Sequence, residues 1–141
     1  MLQLKHITVN TFTLKIFQAM NKKKILIIDD SPDILEFTRR LLEHRGYNVI
    51  ATDDTKDILD TIKAEHPDLV ILDMFLSNIS GLEICHQIKS DTTIKKTPIL
   101  ITTGHPLDTE SEITQLAKPD AYLYKPFELE DLMAMIKKFV D

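Results

Sequence analysis

The stretch Lys24-Ile25-Leu26-Ile27-Ile28-Asp29-Asp30-Ser31-Pro32 decides the fold. Four consecutive apolar residues are too few for a helix and show no polar alternation, so residues 25–28 read as a strand buried on both faces. Asp29 and Asp30 end it, and Ser31 is placed to cap a helix whose first turn holds Pro32. Ile34, Phe37, Leu41 and Leu42 mark one apolar face of that helix, and Gly46 supplies a left-handed stop. A strand buried on both sides and running straight into a capped helix is one unit of a parallel α/β sheet.

The same unit recurs along the chain. Residues 47–51 read as a second strand and 54–65 as a second helix, with Asp54 as its cap and His66-Pro67 as its close. Residues 69–72 form a third strand that runs into Asp73, followed by a loop to Gly81 and a short helix over 82–89. Residues 98–103 are a fourth strand, and Thr109 and Glu112 have capping-box spacing for a fourth helix. That helix offers few apolar residues (Ile113, Leu116, Ala117) and is expected to be the most mobile. A fifth strand over 121–124 ends at Lys125-Pro126, and the last helix places Leu129, Leu132, Met133, Ile136 and Phe139 on one face. Five βα units suit a chain of 141 residues, which is enough for one core and too short for two ordinary domains. Residues 1–20 stand outside this scheme, semi-apolar with hints of strand alternation and no cap or turn chemistry. They are expected to be a flexible or accessory extension, with the compact domain over 21–141 and no output domain.

Composition removes several functions. An average share of about 7% glycine would give roughly ten in such a chain, yet there are 3, Gly46, Gly81 and Gly104, and no two fall within one phosphate-cradling motif. Lysine and arginine total 17 against 22 acids, a net charge of −5, which disfavours contact with nucleic-acid backbones. Cys85 is the single cysteine, so no internal disulfide is available; it reads as a small core residue in a protein suited to a reducing cytosol. No run approaches the roughly 18 apolar residues of a membrane span, and Lys5, His6, Asn10 and Lys15 interrupt any signal-peptide-like block.

In an open parallel sheet, ligands bind beyond the carboxyl ends of the strands. Sorted by that rule, strand one delivers Asp29 and Asp30, strand three Asp73, strand four Thr102 and Thr103, and strand five Lys125. Taken singly, such residues cap helices or face solvent; together they bring three carboxylates, a hydroxyl and an ammonium to one rim. Clustered carboxylates repel one another unless a cation compensates, and magnesium, which takes oxygen ligands and keeps several waters, is the natural one. Lys125 and Thr103 would then meet an incoming phosphoryl group. The pair Asp53-Asp54 has no such company.

These residues resemble the receiver domains of two-component response regulators, whose simplest member is the chemotaxis response regulator. The similarity covers residues 22–140: the acidic pair Asp29-Asp30, the phosphoacceptor position Asp73, the loop glycine Gly81, the switch hydroxyl Thr103 followed by the small Gly104, Lys125 in Lys125-Pro126-Phe127, and an aromatic residue at Tyr122. The resemblance implies a flavodoxin-like sheet of order 2-1-3-4-5. It also implies that Asp73 takes a phosphoryl group from a sensor histidine kinase or histidine phosphotransfer protein, as a switch or relay rather than a turnover enzyme. Asp30 and Asp73 would bind Mg2+ directly, Asp29 through water, and the Phe75 carbonyl would be a further ligand. Thr103 and Lys125 would hold the phosphoryl oxygens while Tyr122 rotates inward. The fourth helix, fifth strand and fifth helix would then present a changed face to a downstream protein, with the molecule a monomer or a phosphorylation-dependent dimer. Lys125-Pro126 is expected to be cis. Leu76-Ser77 replace the common Met-Pro of the loop, and Phe75 and His105 occupy positions that tune the lifetime of the acyl phosphate. His105 itself reads as a solvated loop residue. A phosphorylation-independent scaffold is the alternative. An aspartyl-nucleophile phosphatase of the haloacid-dehalogenase type is disfavoured, because it would carry a second Asp where Phe75 stands.

Overall fold

The computed structural model describes residues 10–140. Among them, helices and strands follow in the order α1 (Thr11–Met20), β1 (Lys24–Ile28), α2 (Pro32–His44), β2 (Asn48–Thr52), α3 (Ile58–Glu65), β3 (Leu69–Asp73), α4 (Gly81–Ser90), β4 (Ile99–Thr103), α5 (Glu112–Ala117), β5 (Ala121–Tyr124) and α6 (Leu129–Val140). The strands form one parallel sheet ordered β2-β1-β3-β4-β5, as expected of a flavodoxin-like α/β fold.

Successive strand residues point to opposite faces, so the apolar runs of β1, β3 and β4 feed two cores at once. On one face Leu26, Ile28 and Ile101 pack with Ile62 of α3 and with Ile84 and Ile88 of α4. On the other, Ile25, Ile27 and Ile71 meet Leu42 of α2 and Ile136 of α6. Each fully buried leucine or isoleucine contributes about 1.5–3 kcal/mol. The Arg39–Glu36 and Arg39–Glu43 pairs of α2 are screened by solvent and add little, so the central strands carry the stability. Cys85 lies in this core fully buried, and burial pushes its thiol up to about 12.

Local chemistry explains most element ends. The Ser31 hydroxyl accepts from the Ile34 amide at 3.4 Å to start α2, and Gly46 follows it at φ +96. His66 turns left-handed at φ 50 immediately before Pro67. Several expectations are corrected. Ile34 and Phe37 are exposed, and Leu35 takes their place in the core, because the sheet-facing stripe of α2 runs through Leu35 and Leu42. Asp54 does not cap a helix: its carboxylate accepts from the Lys56 amide in an Asx turn, a local bond that competes with helix. Helix α3 therefore begins only at Ile58. Ser111 rather than Thr109 stands at the start of the six-residue α5. Upstream, Asn10 caps α1 by accepting from the Thr13 amide at 2.7 Å, so residues 11–20 form a helix, none of whose residues is buried, instead of a strand-like segment. The expectation for residues 1–9 lies outside the described residues.

Candidate functional site

The chain runs from β1 outward to β2 and returns across β1 to β3, so the connection order reverses between β1 and β3. That crevice is where an open α/β sheet binds its ligand, and Asp29 and Asp73 stand at its mouth. Asp29 is held by accepting from the Ser31 amide at 2.9 Å, so the residue that caps α2 also has its amide oriented by the carboxylate. Asp73 accepts from the Phe75 amide at 3.4 Å. The Lys125 ammonium lies between the two, 3.7 Å from Asp29 Oδ2 and 3.7 Å from Asp73 Oδ1. Both carboxylates are nearly buried, their side chains 9% and 12% exposed. Burial pushes the Asp73 carboxyl above its ordinary range; Lys125 opposes this and the neighbouring Asp29 adds to it.

Lys125 reaches this position because β5 ends beside β4, with its amide donating to the Thr103 carbonyl at 2.7 Å. The next peptide, Lys125-Pro126, is cis. Thr103 is fully buried at the end of β4, and its hydroxyl lies 3.1 Å from the His105 carbonyl and 3.5 Å from Met74 Sδ while accepting from the His105 amide at 3.2 Å. Tyr122 is half-buried against the α3/α4 core, which raises its phenol. Asp30 is half-buried at the same rim and, among the described residues, makes no hydrogen bond or ion pair.

The rim thus brings together Asp29, Asp73 and Lys125, with Thr103 beside them. The three carboxylates are not pre-assembled: among the described residues no three acidic, histidine or cysteine side chains converge as a metal cage. A single ammonium serves Asp29 and Asp73, while Asp30 takes no part in that contact. The donor chemistry nonetheless fits magnesium, which needs one or two carboxylates together with water and phosphoryl oxygens.

Two features escaped the sequence reading. The Phe75 ring meets His105 edge-to-face, centroids 4.9 Å apart at 79°, so His105 is exposed but not merely solvated. Nothing in one-dimensional spacing pairs these two loops. The second is why the loop glycine is needed at Gly81: a Cβ there would lie 2.9 Å from the Asp73 carbonyl carbon and closer still to its oxygen. The loop from Asp73 returns onto its own start, with Gly81 donating to the Met74 carbonyl at 2.8 Å. Gly104, expected to leave room beside Thr103, has nothing within 4 Å of a Cβ, so space does not require glycine there.

The chain matches the response regulator receiver domain family over residues 25–137. It is 38% identical over 114 residues to response regulator MprA of Mycolicibacterium vanbaalenii, covering 81% of this chain and 48% of that protein. Response regulator ArlR of Staphylococcus saprophyticus is 40% identical over 115 residues, covering 81% of this chain and 50% of that one. The chain therefore spans about half the length of these curated relatives. Among solved structures, a CheY-like receiver domain protein of Methanospirillum hungatei superposes with a TM-score of 0.76 at 30% identity, covering 86% of this chain and 95% of that one. The chemotaxis protein CheY4 of Vibrio cholerae shares the fold with a TM-score of 0.75 at 24% identity, covering 84% and 98%.

Proposed function

The chain belongs to the response regulator receiver family, and from that premise we propose that Asp73 is its phosphoacceptor. An oxygen of the Asp73 carboxylate attacks the phosphorus of a phosphohistidine on a sensor kinase or phosphotransfer protein. The P–N bond breaks, the imidazole leaves with the bonding pair and takes up a proton, and an acyl phosphate remains. The observation that carries this reading is the Lys125 ammonium, 3.7 Å from each of two buried carboxylates at the topological switch point. It lowers the cost of keeping Asp73 ionised, and hence nucleophilic, and stands ready to pair with a phosphoryl oxygen.

Mg2+ bound by Asp30, Asp73, the Phe75 carbonyl and, through water, Asp29 would neutralise charge on the transferring phosphoryl group. Thr103 exchanges its bonds to the His105 backbone for a phosphoryl oxygen, and Tyr122 follows into the space released. Because β4 and β5 are hydrogen-bonded neighbours, that change reaches the surface of α5, β5 and α6, where a downstream protein partner binds. α5 is short enough for its packing to be the element that phosphorylation biases. Residues 21–141 act as one receiver unit, in the cytosol, as a switch or relay without substrate turnover of their own.

The test is incubation with Mg2+ and acetyl phosphate followed by intact mass and peptide mapping. One phosphoryl group on Asp73 and none in Asp73→Asn is the expected result. A wild-type chain that stays unmodified and binds its partner equally with and without beryllium fluoride would point to the phosphorylation-independent scaffold.

A further inference from the structure

Half of the exposed large apolar side chains among the described residues sit on one short element, the 10-residue α1: Phe12, Leu14, Ile16, Phe17 and Met20. Phe12, Ile16 and Met20, which are 72%, 45% and 79% exposed, follow at four-residue spacing and so form one stripe. Phe17 lies beside that stripe and lines a cleft of about 480 Å³ with Lys22, Lys23, Arg45 and Lys137. No carboxylate lines this cleft. None of its four cations makes an ion pair among the described residues.

The whole chain carries a net charge of −5, so this basic patch is local, and its source is the polarity of the βα units. First turns of the helices hold Asp33, Asp60 and Glu83, and last turns hold Lys63, Lys89 and Lys137. Each helix ends where the next strand begins, so cations gather at the amino edge of the sheet, where α1 leads into β1. Arg45 and Lys137 there complement the ends of α2 and α6. Lys22 and Lys23 belong to no helix, and no acid stands before Asp29 in the sequence. The two adjoining recesses add one carboxylate each, Glu130 and Glu43, and Glu43 is already paired with Arg39. The length of β1, about 16 Å for five residues, separates this edge from the Asp73 rim.

We propose that α1, together with Lys22, Lys23, Arg45 and Lys137, docks this chain on an anionic lipid surface. α1 lies in the plane of the interface with Phe12, Ile16 and Met20 at the acyl boundary, and the cations of the neighbouring cleft meet the phosphates of the headgroups. α1 itself supplies a single cation, Lys15, so the attraction belongs to helix, linker and domain together. A free phosphate or a nucleic acid would leave the apolar stripe in water, and a second copy would bring the same cations against their like. An anionic bilayer takes up both the stripe and the charge. Docking by the amino edge leaves the Asp73 rim turned away from the lipid, so it is independent of phosphorylation.

Co-sedimentation of the full chain with vesicles of phosphatidylglycerol, and in parallel of phosphatidylcholine, tests it. The wild type and Asp73→Asn are expected to bind the anionic vesicles equally, to bind the neutral ones weakly, and to be released by high salt. Each cation removed is worth about fivefold in affinity, so Lys22→Gln with Lys23→Gln, or Arg45→Gln with Lys137→Gln, should weaken binding about twentyfold. Phe12→Glu is expected to weaken it at least about tenfold. All these positions are exposed, and circular dichroism checks that each variant is folded. A wild type that leaves phosphatidylglycerol vesicles in the supernatant, or binds both lipids alike, overturns the proposal. So does binding indifferent to Arg45→Gln with Lys137→Gln, which would reduce the surface to α1 alone, or binding that Phe12→Glu spares and inorganic phosphate abolishes, which would mark a site for free anions.

Discussion

Gly81→Ala tests the most specific packing statement the site makes. The glycine opens α4 with ordinary backbone angles, so no conformational strain is at issue; the conflict is steric. The new Cβ falls 2.9 Å from the Asp73 carbonyl carbon, closer to its oxygen, and 3.0 Å from Met74 Cα, all backbone atoms that cannot swing aside as a side-chain end would. Overpacking of this kind costs about 1–3 kcal/mol, and more when backbone must move. Alanine recovers up to about 1 kcal/mol through its better helix propensity. The net is a loss of about 2 kcal/mol, which at about 4 °C per kcal/mol for a domain of this size lowers the melting temperature by about 8 °C. The displaced atoms are those of Asp73 itself, so the rate of phosphorylation by acetyl phosphate falls as well, even at temperatures where the variant is fully folded. Gly104→Ala, whose Cβ meets nothing within 4 Å, is the control and melts within about 2 °C of the wild type. Calorimetry together with a time course of intact mass decides it. A Gly81→Ala variant as stable and as reactive as the control would refute the reasoning.

Burial raises the Asp73 carboxyl, so the folded state holds that proton more tightly than the unfolded chain, and stability contributed by protonation is lost as pH rises from the ordinary carboxylate range through the raised value. Without Mg2+, Asp73→Asn should therefore melt higher than wild type at pH 7 and lose that advantage near pH 4; an advantage unchanged with pH would contradict the assignment. Lys125→Ala leaves two carboxylates facing each other without their ammonium. It is expected to fold, to lose about 1 kcal/mol at pH 7 in urea unfolding, to recover most of it on acidification, and to break the link between phosphorylation and partner binding. The Phe75–His105 contact predicts a coupling energy of about 0.5 kcal/mol in a double-mutant cycle of the two alanine variants; strictly additive losses would show that the rings do not interact in solution.

The parts of the site legible in the sequence are those delivered by strand ends. Asp29, Asp73, Thr103 and Lys125 each follow an apolar run, and a parallel sheet sends every such residue to the same edge. What the sequence concealed depends on how side chains compete once they are close. Asp54 satisfies a nearby amide rather than a helix end, and Lys125 divides itself between two carboxylates while the third stays out of contact.

The two cores and the rim were determined by the sequence itself, because buried strands announce themselves by continuous apolar runs and a parallel sheet sends their ends to one edge; the order of the strands was implied by the resemblance to receiver domains and is borne out by the sheet. Tertiary structure alone decided which helix stripe faces the sheet, leaving Ile34 and Phe37 outside and Leu35 within. It also decided that Gly81 must be glycine for lack of space, that Gly104 need not be, and that Phe75 and His105 meet across two loops. Those outcomes turn on distances of a few tenths of an ångström between segments far apart in the chain, and residue order carries no such distances.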